Sequence, residues 1–331
     1  LKTLLADPVA AAVRFEVVNQ EIDWFDLRIV IDVEGVQLSK EQIRALVAAR
    51  GGYVRMDDGG WMRLEIKLDN DQRDAVTRLG LDPFDLSGET HRMHAMQLAD
   101  PKAAEVFDPK AWKRIKDRTA EIKIDVKPDV PSQLQATLRP YQVDGFHFLA
   151  YLATNGFGGI LADDMGLGKT VQTLALLLRE MEQGRAVCAL VVCPASLQLN
   201  WRGEAAKFAP DLPCEVLMGT AAARQKQIEA WHEGILVTSY DQLRRDVMAY
   251  AGKPMTHVLL DEAQNIKNAA SQAAKAVKTL QAAHRFALTG TPIENRLSEL
   301  WSIFDFLMPG YLHAYKRFRE RFEAPIVQDA D

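Results

Sequence analysis

Cysteine is scarce. The 331 residues hold three, Cys188, Cys193 and Cys214, and no C-x-x-C pair. A structural zinc site takes four ligands at short, regular spacing, so none is expected. The same scarcity rules out a disulfide framework and suits buried, reduced thiols. His91 and His94 stand close together, but no Cys or Glu cluster joins them, and they read as ordinary histidines. No apolar run reaches the roughly 20 residues of a membrane span, and no signal peptide is present. A membrane partner is therefore not expected, and the cytoplasm is the expected compartment. Positive charge is not in excess either. Net charge is −5, with 20 Lys and Arg against 24 Asp and Glu in residues 1–130, and 20 against 21 after them. A protein that holds nucleic acid by bulk attraction is basic. Any such contact here has to be local.

What the chain does have is organised around Gly158-Gly159-Ile160-Leu161-Ala162-Asp163-Asp164-Met165-Gly166-Leu167-Gly168-Lys169-Thr170. Ile160–Ala162 reads as a short buried strand. A glycine-bearing turn follows, then helix formers from Val171 to Glu182, closed by Gly184. Strand, glycine loop and helix are the setting of a phosphate-binding loop. Gly166 and Gly168 let backbone N–H groups approach a polyphosphate, and the helix N-terminus points at the same anion. Lys169 can reach the β- and γ-phosphates, and the Thr170 hydroxyl can ligate Mg²⁺. The general pattern asks for Gly at 163, where this chain has Asp163.

A second apolar strand, Val258-Leu259-Leu260, ends in Asp261-Glu262, 92 positions after Lys169 (261 − 169). Asp261 is placed to take Mg²⁺ and Glu262 to orient or deprotonate an attacking water. Upstream, Gln142 opens an amphipathic helix through Leu152. Its amide can donate and accept together, which suits the adenine edge, although taken by itself an ordinary helix start is the better reading. Further strands are expected at Ala189–Pro194, Ile235–Tyr240 and Arg285–Pro292. Strands alternating with helices predict a parallel sheet whose ligand sits at the carboxyl ends of the strands.

Residues 1–127 read as a separate, smaller α+β domain, and 128–331 as the nucleotide-binding lobe. Asp125–Pro131, with its prolines, is the expected linker. In the first domain, Trp24–Val33 reads as a strand and Ser39-x-x-Gln42 as a capping box opening a helix through Ala49. Tyr53–Met56 and Trp61–Leu68 form a hairpin around Asp57-Asp58-Gly59-Gly60. Helices are expected at Asp71–Leu79 and Thr90–Leu98. Tyr315–Phe322 reads as an amphipathic closing helix, with direct nucleic-acid contact the alternative.

Taken together, Leu138–Gln142, Leu161–Thr170, Cys193–Leu197 with Asn200-Trp201, Thr238-Ser239-Tyr240, Asp261–Gln264 with Ile266-Lys267-Asn268, and Leu288–Pro292 resemble the successive motifs of the Swi/Snf family of helicase superfamily two. Asp163 agrees with that family's own loop. The resemblance implies an α/β fold, a RecA-like P-loop lobe with a parallel sheet flanked by helices, in a DNA-dependent ATPase that translocates on duplex DNA. It implies ATP and Mg²⁺ as cofactors, with Arg139, Gln142 and the loop residues Asp164, Met165, Gly166, Leu167, Gly168, Lys169 and Thr170 around the nucleotide. Thr170 and Asp261 would hold the metal, and Lys169, Asp261 and Glu262 the chemistry. Pro194, Ala195, Ser196, Leu197, Thr238, Ser239, Tyr240, Lys267 and Asn268 would face DNA. Thr289, Gly290 and Thr291 would couple nucleotide state to DNA grip, as would Gln264, where many relatives carry His.

Residues 1–127 resemble, more weakly, a helicase-associated region of bacterial members, implying a bacterial, nucleoid-associated protein with an unknown partner for that domain. No motif of the family's second lobe occurs, so a second RecA-like lobe supplying the arginine finger is expected from a longer protein. If an arginine came from within this chain, Arg285 and Arg296 would be the first candidates. Two other functions compete: the motor subunit of a restriction or repair complex, and a non-catalytic nucleotide- or protein-binding module. A guanine-nucleotide switch is excluded, since no Asn-Lys-x-Asp occurs.

Overall fold

The structure is a computed structural model that describes residues 9–20, 24–33, 38–49, 53–56, 61–66, 89–91, 109–120, 122–294 and 296–324. The chain divides into two compact units, Leu1–Ile122 and Lys123–Asp331.

The first unit carries β1 (Val9–Gln20), β2 (Trp24–Val33), α1 (Lys40–Ala48), β3 (Tyr53–Arg55), β4 (Trp61–Ile66), β5 (Glu89–His91) and α2 (Pro109–Ala120). Its sheet order is β3-β4-β1-β2-β5. The capping box is present: Gln42 N–H donates to Ser39 Oγ at 3.2 Å, and Ser39 N–H to Gln42 Oε1 at 2.9 Å. The hairpin pairs Tyr53 with Arg63 and Arg55 with Trp61. Leu46 of α1 and Leu64 of β4 are buried together, with Leu38, Ile43, Val54 and Met62 around them. Strand β1 went unrecognised in the sequence. The helix expected from Thr90 does not start there, because Thr90 pairs with Phe25 as part of strand β5. The helix expected at 71–79, and His94, lie outside the described residues.

The second unit begins with an irregular stretch at 123–139, then α3 (Pro140–Asn155), β6 (Gly159–Leu161), α4 (Lys169–Glu182), β7 (Cys188–Cys193), α5 (Gln198–Phe208) and β8 (Cys214–Val216). It continues with α6 (Ala221–Ala230), β9 (Gly234–Ser239), α7 (Tyr240–Asp246), β10 (Met255–Asp261), α8 (Gln272–Lys278), β11 (Ala282–Leu288), α9 (Leu297–Leu307) and α10 (Tyr315–Phe318). The six strands form one sheet in the order β6-β11-β10-β7-β9-β8, and each neighbouring pair is parallel. Strands covered on both faces need no polar face, which explains the continuous apolar runs. Every residue of β7 and β9 is buried.

Two glycines close helices. Gly156 takes φ 68° after α3, and Gly184 takes φ 72° just beyond α4. Strand β8 is three residues long and lies at the sheet edge, too short for its pattern to stand out. In the closing segment Phe318 is buried while Lys316 and Arg319 are exposed, but Tyr315 and Phe322 are exposed too, and α10 gives way to a wider π-helical turn at Arg319–Glu323.

Parallel register also brings two histidines together. His257 of β10 lies beside His284 of β11, ring centroids 4.9 Å apart, with Phe286 next to both. Burial, His284 and Arg185 together push the His257 imidazole down to about 3. A base whose folded pKa lies below its unfolded value of about 6.5 stabilises the fold above 6.5 and loses that contribution as pH falls toward the folded value. Between pH 6.5 and 5 the loss from His257 is about 2 kcal/mol. His257→Leu is expected to flatten the acid side of the stability profile by that amount. Urea denaturation at pH 7 and pH 5 measures it; an unchanged pH 5 deficit in the variant would show that His257 titrates normally.

Candidate functional site: the carboxyl edge of the parallel sheet

Five strand ends meet on one rim. Pairing puts Asp261 opposite Leu288 and Leu288 opposite Leu161. The Thr289 N–H then donates to Leu161 O at 3.2 Å. The loop after β6 and the carboxylates after β10 are thus two strand spacings apart, about 10 Å.

The loop turns at Gly166 (φ 83°) and Gly168 (φ 81°), both left-handed. A Cβ on Gly166 would meet nothing within 4 Å, whereas one on Gly168 would lie 2.5 Å from Gln142 Nε2. Gln142 Nε2 donates to Leu167 O at 3.0 Å, and its Oε1 accepts from Arg139 N–H at 2.9 Å. Its first structural job is therefore to tie the start of α3 to the loop; Arg139 itself is exposed. Asp163 accepts from Gln172 Nε2 at 2.9 Å, and Gln172 also reaches Gly168 O at 3.2 Å. Gln172 is completely buried and pins both ends of the loop, a role its sequence position alone does not reveal. Lys169 is buried, and its ammonium donates to Asp163 O at 2.8 Å and Asp164 O at 3.2 Å. Asp164 and Met165 project outward, Met165 being 76% exposed.

Asp261 ends β10 almost wholly buried. Its Oδ2 accepts from Trp201 Nε1 at 2.8 Å and its Oδ1 from Glu262 N–H at 3.0 Å. Burial pushes its carboxyl above the usual range, with Glu262 adding to that; the Trp201 and Glu262 N–H groups and Lys169 pull the other way. Glu262 takes φ 51° and ψ 56°, left-handed for a side-chain-bearing residue. Such a conformation costs on the order of 1–3 kcal/mol and persists where surroundings enforce it. The Asn265 side chain holds the Glu262 carbonyl at 2.8 Å, and Gln264 Nε2 donates to Glu262 Oε2 at 2.7 Å. Gln264 Oε1 in turn accepts from Thr289 Oγ1 at 2.8 Å, and Thr291 N–H donates to the same hydroxyl at 3.1 Å. A continuous line, Glu262–Gln264–Thr289–Thr291, joins the two strand ends. Gly290 sits against the phosphate loop, where a Cβ would come 3.5 Å from Met165 N.

The residues expected to face DNA divide. Ala195 and Ser196 are exposed, with Pro194 and Leu197 half-buried, so that segment is a surface. At Thr238-Ser239-Tyr240 the side chains turn inward. Thr238 has no exposed surface, Ser239 caps α7 by accepting from Gln242 N–H at 3.2 Å, and the Tyr240 hydroxyl donates to Asp261 O at 2.9 Å. These side chains are consumed inside the lobe. Lys267 is ion-paired with Glu294, whose Oε1 accepts from Thr291 Oγ1 at 3.2 Å. Lys267 and the exposed Asn268 line a cavity of about 1030 Å³ with Arg296, Ser298, Trp301 and Tyr315. Arg285 is no candidate finger: its guanidinium is bound to Phe306 O at 3.0 Å and Leu280 O at 2.9 Å. Cys193 lies behind the rim, its thiol pushed up to about 12 by burial, and so stays protonated. Among the described residues, no three or more His, Cys, Asp or Glu side chains are grouped to hold a metal, and no helix is long and apolar enough to cross a membrane.

With this geometry in place, the chain can be set beside known proteins. The SNF2-related domain matches residues 141–331, and the chain belongs to that family. It is 33% identical over 90% of its length to the putative ATP-dependent helicase/translocase YwqA of Bacillus subtilis, covering 34% of that protein. It is 43% identical over 60% of its length to the TATA-binding protein-associated factor MOT1 of Saccharomyces cerevisiae, covering 11% of that protein. The Sulfolobus solfataricus SWI2/SNF2 ATPase core solved in complex with dsDNA superposes with a TM-score of 0.56 at 42% identity, over 60% of this chain and 41% of the other. The second unit is a RecA-like lobe of that kind. The chain spans about a third of the Bacillus relative and about a tenth of the yeast one.

The two loop glycines separate backbone strain from steric clash. Gly166→Ala is expected to cost about 1–2 kcal/mol from its left-handed backbone alone. Gly168→Ala adds the contact with Gln142 and is expected to cost more. Equal losses in urea denaturation would mean that Gln142 moves aside freely.

Proposed function

We propose that this chain is the ATP-binding first lobe of a DNA-dependent ATPase that translocates on duplex DNA and remodels protein–DNA complexes. One observation carries the reading: a glycine loop with a buried lysine, and a buried carboxylate followed by a strained glutamate, lie on one rim, and a hydrogen-bonded line runs from that glutamate to Thr289 and Thr291 on the strand between them. The loop fits a polyphosphate, because Gly166 leaves open space where a Cβ would stand. The hydroxyl and carboxylate oxygens of Thr170 and Asp261 are hard donors suited to Mg²⁺. Bound Mg²⁺ would neutralise charge on the β- and γ-phosphates. In this reading Lys169 exchanges its loop carbonyls for phosphate oxygens. Gln142, with Arg139 nearby, offers its remaining donor and acceptor capacity to adenine, while Asp164 to Thr170 surround the phosphates. Glu262, aimed by its left-handed turn, orients the attacking water, and Gln264 reports its position to Thr289, Gly290 and Thr291.

Duplex DNA as partner is supported by the Sulfolobus core solved in complex with dsDNA, and a protein partner by the likeness to the TATA-binding protein-associated factor MOT1. Pro194 to Leu197, with Lys267 and Asn268, are the proposed DNA-facing residues. A second RecA-like lobe would complete the motor and supply the arginine finger. Residues 1–127 would form a separate module for an unidentified protein partner. The proposed setting is the bacterial cytoplasm, at the nucleoid.

Lys169→Ala is expected to abolish ATP binding by this chain without unfolding it; calorimetric titration with MgATP, beside a melting curve, tests it, and binding at parental affinity would refute the loop assignment. In the full-length protein, Glu262→Gln is expected to retain ATP affinity and lose turnover by at least a hundredfold. Turnover within tenfold of the parent would remove Glu262 from the water-orienting role.

A further inference from the structure

Asp261 is held from two directions by buried aromatic residues that phosphate chemistry does not require. Trp201 comes from α5, one turn after the exposed Ala195-Ser196, and its indole N–H donates to the carboxylate at 2.8 Å. Tyr240 comes from the first position of α7, and its hydroxyl donates to the Asp261 carbonyl at 2.9 Å. Trp201 is 1% exposed and Tyr240 8%, so neither contacts a partner in solvent. The two helices are tied to each other as well. Gln198 Nε2 in the first turn of α5 donates to Gln242 Oε1 at 2.8 Å, and Gln242 closes the capping box of α7. One carboxylate oxygen is thus set by a helix that starts at the exposed segment 194–200, and the other by the backbone of Glu262.

We infer that Trp201 is a positioning residue for the metal-binding carboxylate, and that Trp201 and Tyr240 form two struts linking the exposed 194–200 segment to Asp261. The inference rests on the proposed ATP and Mg²⁺ site and deepens it. A carboxylate at a strand end can rotate about its Cα–Cβ and Cβ–Cγ bonds; a rigid indole N–H on one oxygen and a main-chain N–H on the other leave it one orientation. A partner that shifts α5 by pressing on 195–200 moves the indole, and with it the oxygens offered to Mg²⁺. Outer hydrogen-bond partners of ligating carboxylates typically contribute 10–100-fold in metal affinity. This gives the buried tryptophan a function that packing alone does not, because Phe would fill most of the same space without donating.

The test is equilibrium binding of a fluorescent ATP analogue to this chain, titrated with Mg²⁺, for the parent, Trp201→Phe and Tyr240→Phe, with melting curves recorded in parallel. Trp201→Phe is expected to leave metal-free nucleotide affinity within twofold of the parent and to raise the Mg²⁺ concentration at half-effect by about tenfold. Tyr240→Phe removes a single hydroxyl and serves if Trp201→Phe fails to fold; a several-fold rise is expected. An unchanged Mg²⁺ dependence in the folded variants overturns the strut assignment while leaving the nucleotide site standing. Equal losses with and without Mg²⁺ also overturn it, since they mark a packing role only. A parent chain whose nucleotide binding ignores Mg²⁺ overturns the metal site itself, and this inference with it.

Discussion

Parallel register between β6, β11 and β10 is the constraint on which the rest of the lobe depends. Leu161, Leu288 and Asp261 stand in one row because backbone hydrogen bonds admit no other alignment without turning each side chain to the opposite face. The phosphate loop leaves the sheet at one end of that row, Glu262 at the other, and Thr289 between them. A shift of one residue would bury Glu262 or expose Leu260. The long apolar strands make that shift prohibitive, and the rim is rigid for the same reason.

Polar groups at the rim are satisfied almost entirely by one another. Gln142 and Gln172 hold the loop, Trp201 and Tyr240 hold Asp261, and Gln264 joins Glu262 to Thr289. Buried donors and acceptors left alone cost about 1–3 kcal/mol each, so such a network is either complete or costly. The pairing is close to complete, with the buried Gln172 Oε1 the exception, so a ligand that takes one member's hydrogen bond obliges its neighbours to find new partners. Lys169 illustrates this, with its charge resting on the carbonyls of Asp163 and Asp164 that flank the phosphate position. The strained Glu262 is the other sign of a site in which local comfort yields to placement.

Residues 1–122 stand apart in character. A five-stranded sheet of mixed direction and a small core around Leu46 and Leu64 supply a scaffold without a grouped set of chemical side chains among the described residues. That division of labour matches the chain's even charge. Binding by placed backbone and a few side chains needs no global field, and the exposed Ala195-Ser196 segment is the place proposed for it.

Much of the second unit was legible from its residues. Apolar runs ended by Pro194, Ser239, Asp261 and Thr289 announced buried parallel strands, and the order strand, glycine loop, helix was equally plain. The Ser39–Gln42 capping box and the Asp57–Gly60 hairpin were equally local signals, since their partners lie within a few positions. What sequence could not decide is where long-range partners fall. Strand order, the edge strand β8, the Trp201–Asp261 hydrogen bond across 60 positions and the burial of Thr238-Ser239-Tyr240 all come from packing. A motif specifies residue types and spacing, but whether a tyrosine points at solvent or at a carbonyl is set by the helix it starts and the strand beside it. The residues alone determined the chemistry available here, and the parallel sheet decided which atoms meet, because only its register converts distances along the chain into distances in space.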